Sequence, residues 1–302
     1  MGINIEQYSN ISKEEFEVEI VTPLFLAGAD KDKSEIRPAS IKGAIRFWWR
    51  ALYGHKFASI KEMAKKEDEI FGSTDRKSSF FIMVDKENLK KSKSSEKLHE
   101  SGFHILNFLA YGYDDNNGKI REFIKENSKF NIILNFYNNS YKKEVLNSFY
   151  ALIKFGSLGA KARNGFGSLN IINKEVFTEV YYNEKILDFT AFSKFSRLFN
   201  TSRRFKTSKQ ALISIGNSYR AARGEIKNHN LDRALIATPF KNNNDRHSKP
   251  YFLHVNKLKS GEYQGQILFL PYNYDENKRS NYNTVHTVMC NVFAKKLEEV
   301  KL

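Results

Sequence analysis

The chain has 302 residues, with 49 lysines and arginines against 34 acidic residues and a formal net charge of +15. A surplus of this size is typical of proteins that bind a polyanion, either a nucleic acid or an anionic membrane surface. No stretch approaches the roughly 18 consecutive apolar residues of a membrane-spanning helix, so a membrane partner is disfavoured. Cys290 is the single cysteine, which argues against a disulfide framework and a cysteine zinc site. A cytoplasmic location is expected.

The first predicted element is a strand over residues 14–28, because Phe16, Val18 and Ile20 alternate with polar residues. A helix follows, with Ser40 as its N-cap and Gly54 as the residue that ends it.

This helix carries two adjacent tryptophans on two different stripes. One stripe has the spacing of a core-facing seam and consists of Ile41, Ile45, Trp48 and Leu52. The second stripe consists of Lys42, Arg46, Trp49, Arg50 and Tyr53. Trp48 is therefore predicted to pack inward and Trp49 to stand among cations, an arrangement suited to base stacking and phosphate binding. Alternatively, Trp49 and Tyr53 pack under a loop or a second domain while the cations are merely solvated.

The rest of the first half continues the pattern of a ferredoxin-like domain. A helix is predicted at 60–72, strands at 78–85, 103–113 and 129–137, a helix at 140–156 and a strand at 165–173. The Lys/Ser-rich segment 86–101 is too polar to form a core and is interpreted as a mobile surface insertion. The order β-α-β-β-α-β, with one extra strand, is shared with RNA-recognition modules.

The second half reads as a looser copy of the first. A strand is predicted at 184–192, a helix at 211–225, a hairpin at 249–272 that turns at 259–262, and a terminal helix at 282–300. The closing strand of a complete copy is missing from this prediction. The fold class expected is α+β, with two tandem ferredoxin-like (RRM-like) domains at residues 1–178 and 179–302.

A glycine-rich loop at residues 154–169 joins the second helix to the last strand of the first domain. Gly159, Gly165 and Gly167 flank Lys161 and Arg163. Nucleotide-binding loops run from strand to helix, whereas this loop leaves a helix and enters a strand, so a nucleotide site is excluded. The glycines exceed what a turn requires, which favours close approach to an RNA backbone over a purely structural turn.

The strand ending at 22–30, the tryptophan helix and the glycine loop together resemble the RAMP superfamily of CRISPR proteins, and within it the first subunits of the type III-B Cmr effector. The resemblance extends to residues 245–271, where Lys249 departs from the expected pattern by intervening before Pro250 and leaves the roles of Arg246 and Ser248 open. It implies tandem ferredoxin-like domains and a place at the head of the complex, near the 3′ end of the guide RNA. It also implies that the protein helps to capture target RNA without cutting it.

The expected partners are guide RNA, target RNA and other RAMP subunits. From the motif positions, the helix stripe and the basic segment 201–209, the candidate RNA-binding residues are Lys42, Arg46, Trp49, Arg50, Tyr53, Gly159, Lys161, Arg163, Gly165, Gly167, Arg203 and Arg204.

The alternative from another class is a RAMP-type endoribonuclease. Asp30 and Asp32 could hold Mg²⁺ against a phosphate, and His55 could act as a general acid or base on a ribose hydroxyl. Interleaved lysines instead favour a solvated turn for the two aspartates, and a histidine at a helix end is commonly a cap. No metal and no cofactor are therefore expected. A structural cap that binds only other subunits is a third alternative, and the net charge argues against it.

Overall fold

The computed structural model describes residues 11–86, 89–93, 105–113, 121–237, 247–273 and 279–302. The first half forms a four-stranded antiparallel sheet with two helices packed on one face. Its elements are β1 (Ser12–Ile20), α1 (Pro38–Tyr53), α2 (Ile60–Phe71), β2 (Phe80–Asp85), β3 (Lys91–Lys93), α3 (Ile105–Ala110), β4 (Glu122–Ile124), β5 (Lys129–Phe136), α4 (Lys142–Phe155) and β6 (Leu169–Ile171).

The strand order β2-β5-β1-β6 is that of a ferredoxin-like domain. Phe16, Val18 and Ile20 of β1 are fully buried against α1 and α4, which confirms the predicted inward face. The tryptophan helix begins three residues earlier than predicted. Pro38 occupies its first turn and Arg37 is an N-cap without a side-chain hydrogen bond, because a proline fits the first helical position, where its missing N–H costs nothing.

The prediction of a strand at 103–113 is wrong, because residues 105–110 form α3. Its buried residues are Ile105, Leu106, Leu109 and Ala110, which have a helical spacing. In a short apolar run, this spacing cannot be distinguished from that of a buried strand. In the predicted insertion at 86–101, Lys91–Lys93 pairs with β4 as a separate two-stranded sheet, while 87–88 and 94–101 lie outside the described residues.

The second half is a complete ferredoxin-like unit with strand order β10-β7-β9-β8. Its elements are β7 (Arg197–Asn200), α5 (Ser208–Asn228), β8 (Tyr251–Lys257), β9 (Tyr263–Phe269), α6 (Arg279–Lys296) and β10 (Glu298–Val300).

The hairpin β8–β9 is confirmed. The prediction that the second half lacks a closing strand is wrong, because β10 pairs with β7. The predicted strand at 184–192 is also wrong, since the sheet begins at Arg197. Both β7 and β10 have only three or four residues, too few for a clear alternating pattern.

The second sheet is buried on both faces. One face packs on α5 and α6, and the other contributes Leu198, Phe252 and Leu268 to the core of the first half. Trp48 lies at this junction, 5.4 Å from the Phe252 ring and 6.0 Å from the Phe155 ring between centroids, which confirms that it packs inward. The division at residue 178 stays a prediction, since the chain between β6 and β7 belongs to neither sheet.

Candidate nucleic-acid interface

Two of the three cations of α1 pair with acidic residues of α2. We call Lys42, Arg46 and Arg50 the α1 cation stripe. Arg46 Nε donates to Glu67, its Nη2 lies 3.5 Å from Asp68 Oδ1, and Arg50 Nη1 lies 3.8 Å from Glu67 Oε1. Because the Glu67 side chain is only 4% exposed, the two arginines neutralise a carboxylate within the protein. Contact of these two arginines with RNA stays a prediction, and the structure shows them paired with acidic residues of α2.

The two flanking members of the predicted RNA-binding set are also held within the fold. Lys42 Nζ donates to the Phe80 carbonyl at 3.4 Å and lies 4.9 Å from the centre of the Phe80 ring, and burial lowers the pKa of its ammonium. Tyr53 is buried, and its hydroxyl accepts a hydrogen bond from Asn147 Nδ2 at 2.9 Å. Burial raises the pKa of Tyr53 to about 12.

Trp49 is fully buried, which overturns the prediction that it stands among cations on an open face. Its ring packs against Phe57 and Phe71, and its Nε1 donates to Glu144 Oε2 at 2.8 Å. A buried indole N–H needs an acceptor, and α4 supplies one from a point 95 residues further along the chain. The alternative interpretation, a tryptophan packed against protein, is the correct one.

The three glycines of the loop have reasons within the fold. Gly159, Gly165 and Gly167 all have positive φ angles between 74° and 86°. A Cβ on Gly159 would lie 2.4 Å from the carbonyl oxygen of Phe25, and one on Gly167 would lie 2.1 Å from that of Leu158. The glycines are therefore required by packing, which corrects the inference that they exceed the needs of a turn. Contact of this loop with RNA stays a prediction.

The loop cations meet two cations from the second half. We call Lys161, Arg163, Arg223 and Lys249 the junction cluster. Arg163 Nη1 donates to the Lys249 carbonyl, and the guanidinium lies 4.5 Å from the Phe252 ring centre and 5.6 Å from that of Phe47 on α1. Burial lowers the pKa of Arg163 to about 10, so it remains a cation at neutral pH.

Lys249 is the innermost member of the junction cluster. Its residue is 9% exposed, and its Nζ is buried without a hydrogen-bond partner, 4.1 Å from the Tyr219 ring centre. Burial, followed by the charges of Arg163, Arg223 and Lys161, lowers the pKa of the Lys249 ammonium well below its ordinary value. Within the described part of the chain, none of the four cluster members pairs with a carboxylate.

Two residues beside the cluster were missed from the sequence. Tyr111 is 81% exposed, and a Cβ on the next residue, Gly112, would lie 3.9 Å from Lys161 Nζ. Gly43 lies on the exposed side of α1, one turn before Phe47, and nothing lies within 4 Å of where its Cβ would be. A glycine inside a helix lowers stability by about 0.5–1 kcal/mol relative to alanine. The glycine at position 43 of a predicted helix could therefore have been recognised from the sequence as a candidate functional position. Tyr111 was hidden by the wrong strand prediction.

The basic segment at Arg203 and Arg204 lies at the other end of α5. Both arginines are exposed, and they precede Ser208, where α5 begins, whereas Arg223 lies near its end. At about 1.5 Å per residue, the roughly fifteen residues from Ser208 to Arg223 span about 22 Å. These two arginines and Arg223 therefore cannot contact the same phosphate.

The three residues of the alternative catalytic set do not come together. Asp30 and Asp32 precede α1 and His55 follows it, and a helix of 16 residues separates them by about 24 Å. Asp30 Oδ1 accepts the N–H of Asp32 at 2.9 Å, which lowers the pKa of the Asp30 carboxyl, and Lys33 lies 3.4 Å away. Among the residues that the structure describes, no three His, Cys, Asp or Glu side chains are placed to hold a metal ion. Arg246 lies outside the described residues.

Comparison with known proteins places this geometry in a family. The sequence profile of the RAMP superfamily matches residues 17–170. A relative from Pyrococcus furiosus named CRISPR system Cmr subunit Cmr1-2 is 32% identical over an alignment of 174 residues, and the alignment covers 52% of this chain and 93% of the relative.

Two solved structures share the fold over nearly the whole chain. The crystal structure of Cmr1 from Pyrococcus furiosus in its apo form has a TM-score of 0.66 at 22% identity and covers 96% of this chain and 98% of its own. A chain of the type III-B Cmr-beta complex bound to cognate target RNA has a TM-score of 0.57 at 12% identity, covering 92% and 99%. None of the helices in the described ranges has the length and apolar character needed to cross a bilayer.

Proposed function

The chain belongs to the RAMP superfamily, and on this premise we propose that it is a non-catalytic RNA-binding subunit of a type III-B CRISPR effector. In this role it contacts the 3′ region of the guide RNA, the target RNA, or both, at the head of the complex, beside other RAMP subunits. The name of the Cmr1-2 relative supports the assembly. The solved complex of the same fold, which is bound to target RNA, supports the ligand.

The single observation that carries the proposal is the junction cluster. Burying an ammonium without a partner is costly unless an opposite charge or hydrogen bonds compensate. Lys249 is in this position with three cations around it and no carboxylate from the described residues. A phosphodiester supplies the missing negative charge, and Lys161, Arg163 and Arg223, which are partly buried, surround Lys249.

The surface beside the cluster suits a nucleic-acid backbone. The first turn of α1 has neither a side-chain cap nor an acidic residue, so no carboxylate of this turn repels a phosphate at the positive end of the helix dipole. One turn further on, Gly43 leaves room for close approach of an RNA backbone. One turn after Gly43, the Phe47 ring contacts the guanidinium of Arg163. We propose that a strand passes along this face of α1 to Lys161, with the exposed ring of Tyr111 as a stacking platform.

The test is RNA binding by two cluster variants and one matched control. Arg163→Ala and Lys249→Met each remove one cation of the cluster, and Lys259→Met removes an exposed one at the β8–β9 turn, where Lys259 pairs with Glu175. Fluorescence anisotropy with single-stranded RNA should show at least about fivefold weaker binding for both cluster variants. The slope of log affinity against log salt should become shallower by about 0.7 for each phosphate that a variant no longer neutralises.

A stability measurement separates binding from folding. Lys249→Met removes a buried unpaired ammonium, so its melting temperature should equal or exceed that of the wild type. Unchanged affinity and salt slope in both cluster variants would overturn the proposal. The proposal that the protein is non-catalytic would be contradicted by cleavage of single-stranded RNA, with or without Mg²⁺, that Asp30→Ala or His55→Ala abolishes.

A further inference from the structure

A small cavity of about 250 Å³ opens beside the first turn of α5. It lies where the chain after β1, α3, β4, the glycine loop and α5 meet, so it is built from both halves of the protein. The residues that define it are Thr22, Phe123, Phe166, Ser208, Lys209 and Leu212.

The walls of this cavity are apolar and partly aromatic. Phe123 and Phe166 are 5% and 1% exposed, and both pack against Phe25, with centroids 5.7 and 4.9 Å apart, so the two rings are held in place. The cavity is smaller than the roughly 300–1,000 Å³ that drug-sized ligands occupy. It therefore suits one flat ring system.

The charged residues that line the cavity are Lys125, Glu126 and Lys209, and the loop before α5 adds three further cations. Lys209 is exposed at the second residue of α5, and Arg203, Arg204 and Lys206 are exposed on the loop that leads into the helix. In the described part of the chain these four cations form no ion pair with a carboxylate. A flat group entering this cavity is therefore favoured when it is carried on a polyanion.

We propose that the cavity takes one unstacked base of a single-stranded RNA, with its neighbouring phosphates on Arg203, Arg204 and Lys209. This inference rests on the proposed function and adds a second contact at the start of α5, about 22 Å along the helix from Arg223. It also assigns a role to the basic segment 201–209, which the junction cluster does not use. Stacking on aromatic walls tolerates any base, so the site has no sequence preference.

The experiment compares two RNA probes of equal charge. One is an oligouridine, and the other has the same length and phosphates but abasic riboses. The wild type should bind the oligouridine at least about fivefold more tightly than the abasic strand, the lower end of what one stacked base contributes.

Two serine variants locate this preference. Ser208→Phe places a ring in the cavity, and Ser202→Phe adds the same ring to the exposed part of the same loop. Ser208→Phe should lose most of the preference and keep its affinity for the abasic strand, while Ser202→Phe keeps both. A Ser208→Phe protein that melts like the wild type and retains the full preference would overturn the proposal.

Photocrosslinking keeps the proposal testable if Ser208→Phe does not fold. RNA with 4-thiouridine should crosslink to peptides that contain Phe123 or Phe166, and crosslinks confined to Tyr111 and α1 would reject the cavity. Failure of the two ideas is distinguishable. A wild type that binds neither probe contradicts the proposed function, whereas one that binds both probes equally contradicts the base cavity and stacking on Tyr111 and leaves phosphate binding by the junction cluster standing.

Discussion

The α1 cation stripe and the junction cluster are both rich in positive charge, yet they differ in what surrounds them. Arg46 and Arg50 share the carboxylate of Glu67. The junction cluster has no carboxylate from the described residues, and the ammonium of its innermost member, Lys249, is buried as well. The charges of the first arrangement are neutralised within the protein, and those of the second are not neutralised by any described carboxylate.

This difference shows that a basic residue in a motif is not the same as an available charge. An ion pair with a buried carboxylate joins two helices, because separating the charges would leave one of them buried and unpaired. Cations that the fold gathers without acidic neighbours repel one another, which is a cost that binding can relieve. Four predictions test the contrast.

The largest effect is expected from the tryptophans of α1. Trp49→Ala and Trp48→Ala should each lower the free energy of unfolding by about 3–5 kcal/mol, because both rings are buried and leave cavities. Chemical denaturation of the two variants measures this. Tyr111→Ala is the control, since its exposed ring should leave stability unchanged and weaken RNA binding. A stable Trp49→Ala protein with a specific binding defect would return Trp49 to the RNA interface.

Arg46→Ala should cost about 1–3 kcal/mol of stability, because it leaves the buried Glu67 carboxylate with only the more distant Arg50. Its RNA affinity should change by less than about twofold. Thermal melts and RNA titrations of the same samples provide both values. Adding Glu67→Gln should restore part of the stability. A native-like melt combined with a large drop in RNA affinity would contradict the difference between the stripe and the cluster.

RNA affinity should fall as pH rises, because the Lys249 ammonium loses its proton. The pKa of its ammonium is lowered in the folded protein by burial and by Arg163, Arg223 and Lys161, and a bound phosphate would raise it, so binding takes up a proton. The decrease is at most tenfold per pH unit, about 1.4 kcal/mol, in the interval between the lowered pKa and its ordinary value of 10.5.

Stability has the opposite sign in that interval. The unfolded chain holds the Lys249 proton and the folded chain has released it, so the free energy of unfolding rises with pH up to 10.5. RNA titrations and melts from neutral to alkaline pH measure both trends. Lys249→Met should weaken both dependences, and a variant with the wild-type profiles would exclude Lys249 as their source.

The smallest effect is expected from Gly43→Ala. The substitution should stabilise the protein by about 0.5–1 kcal/mol, because nothing lies within 4 Å of the new methyl group. It should also weaken RNA binding if a backbone passes over α1. Gly224→Ala on α5 is the matched control, since its Cβ position is equally open. Equal RNA affinity for both alanine variants would remove α1 from the proposed path.

Local patterns were sufficient for the elements that bury one regular face. The alternation of Phe16, Val18 and Ile20 and the inward position of Trp48 are visible over a few residues, since backbone geometry sets both periods. The same patterns failed for α3 and for β10, which are too short for their period to be distinctive. The family could be recognised because its motifs lie in continuous segments of the first half.

Only the tertiary structure decided which charges and rings are available. Trp49 donates a hydrogen bond to Glu144, 95 residues away in sequence, and Arg46 donates one to Glu67, 21 residues away. Arg163 and Lys249, 86 residues apart, are brought together. A helical period shows which face a side chain is on, but not which segment covers that face. Burial and pairing depend on contacts between distant segments, so the sequence identified the cations and the fold determined which of them are paired within the protein.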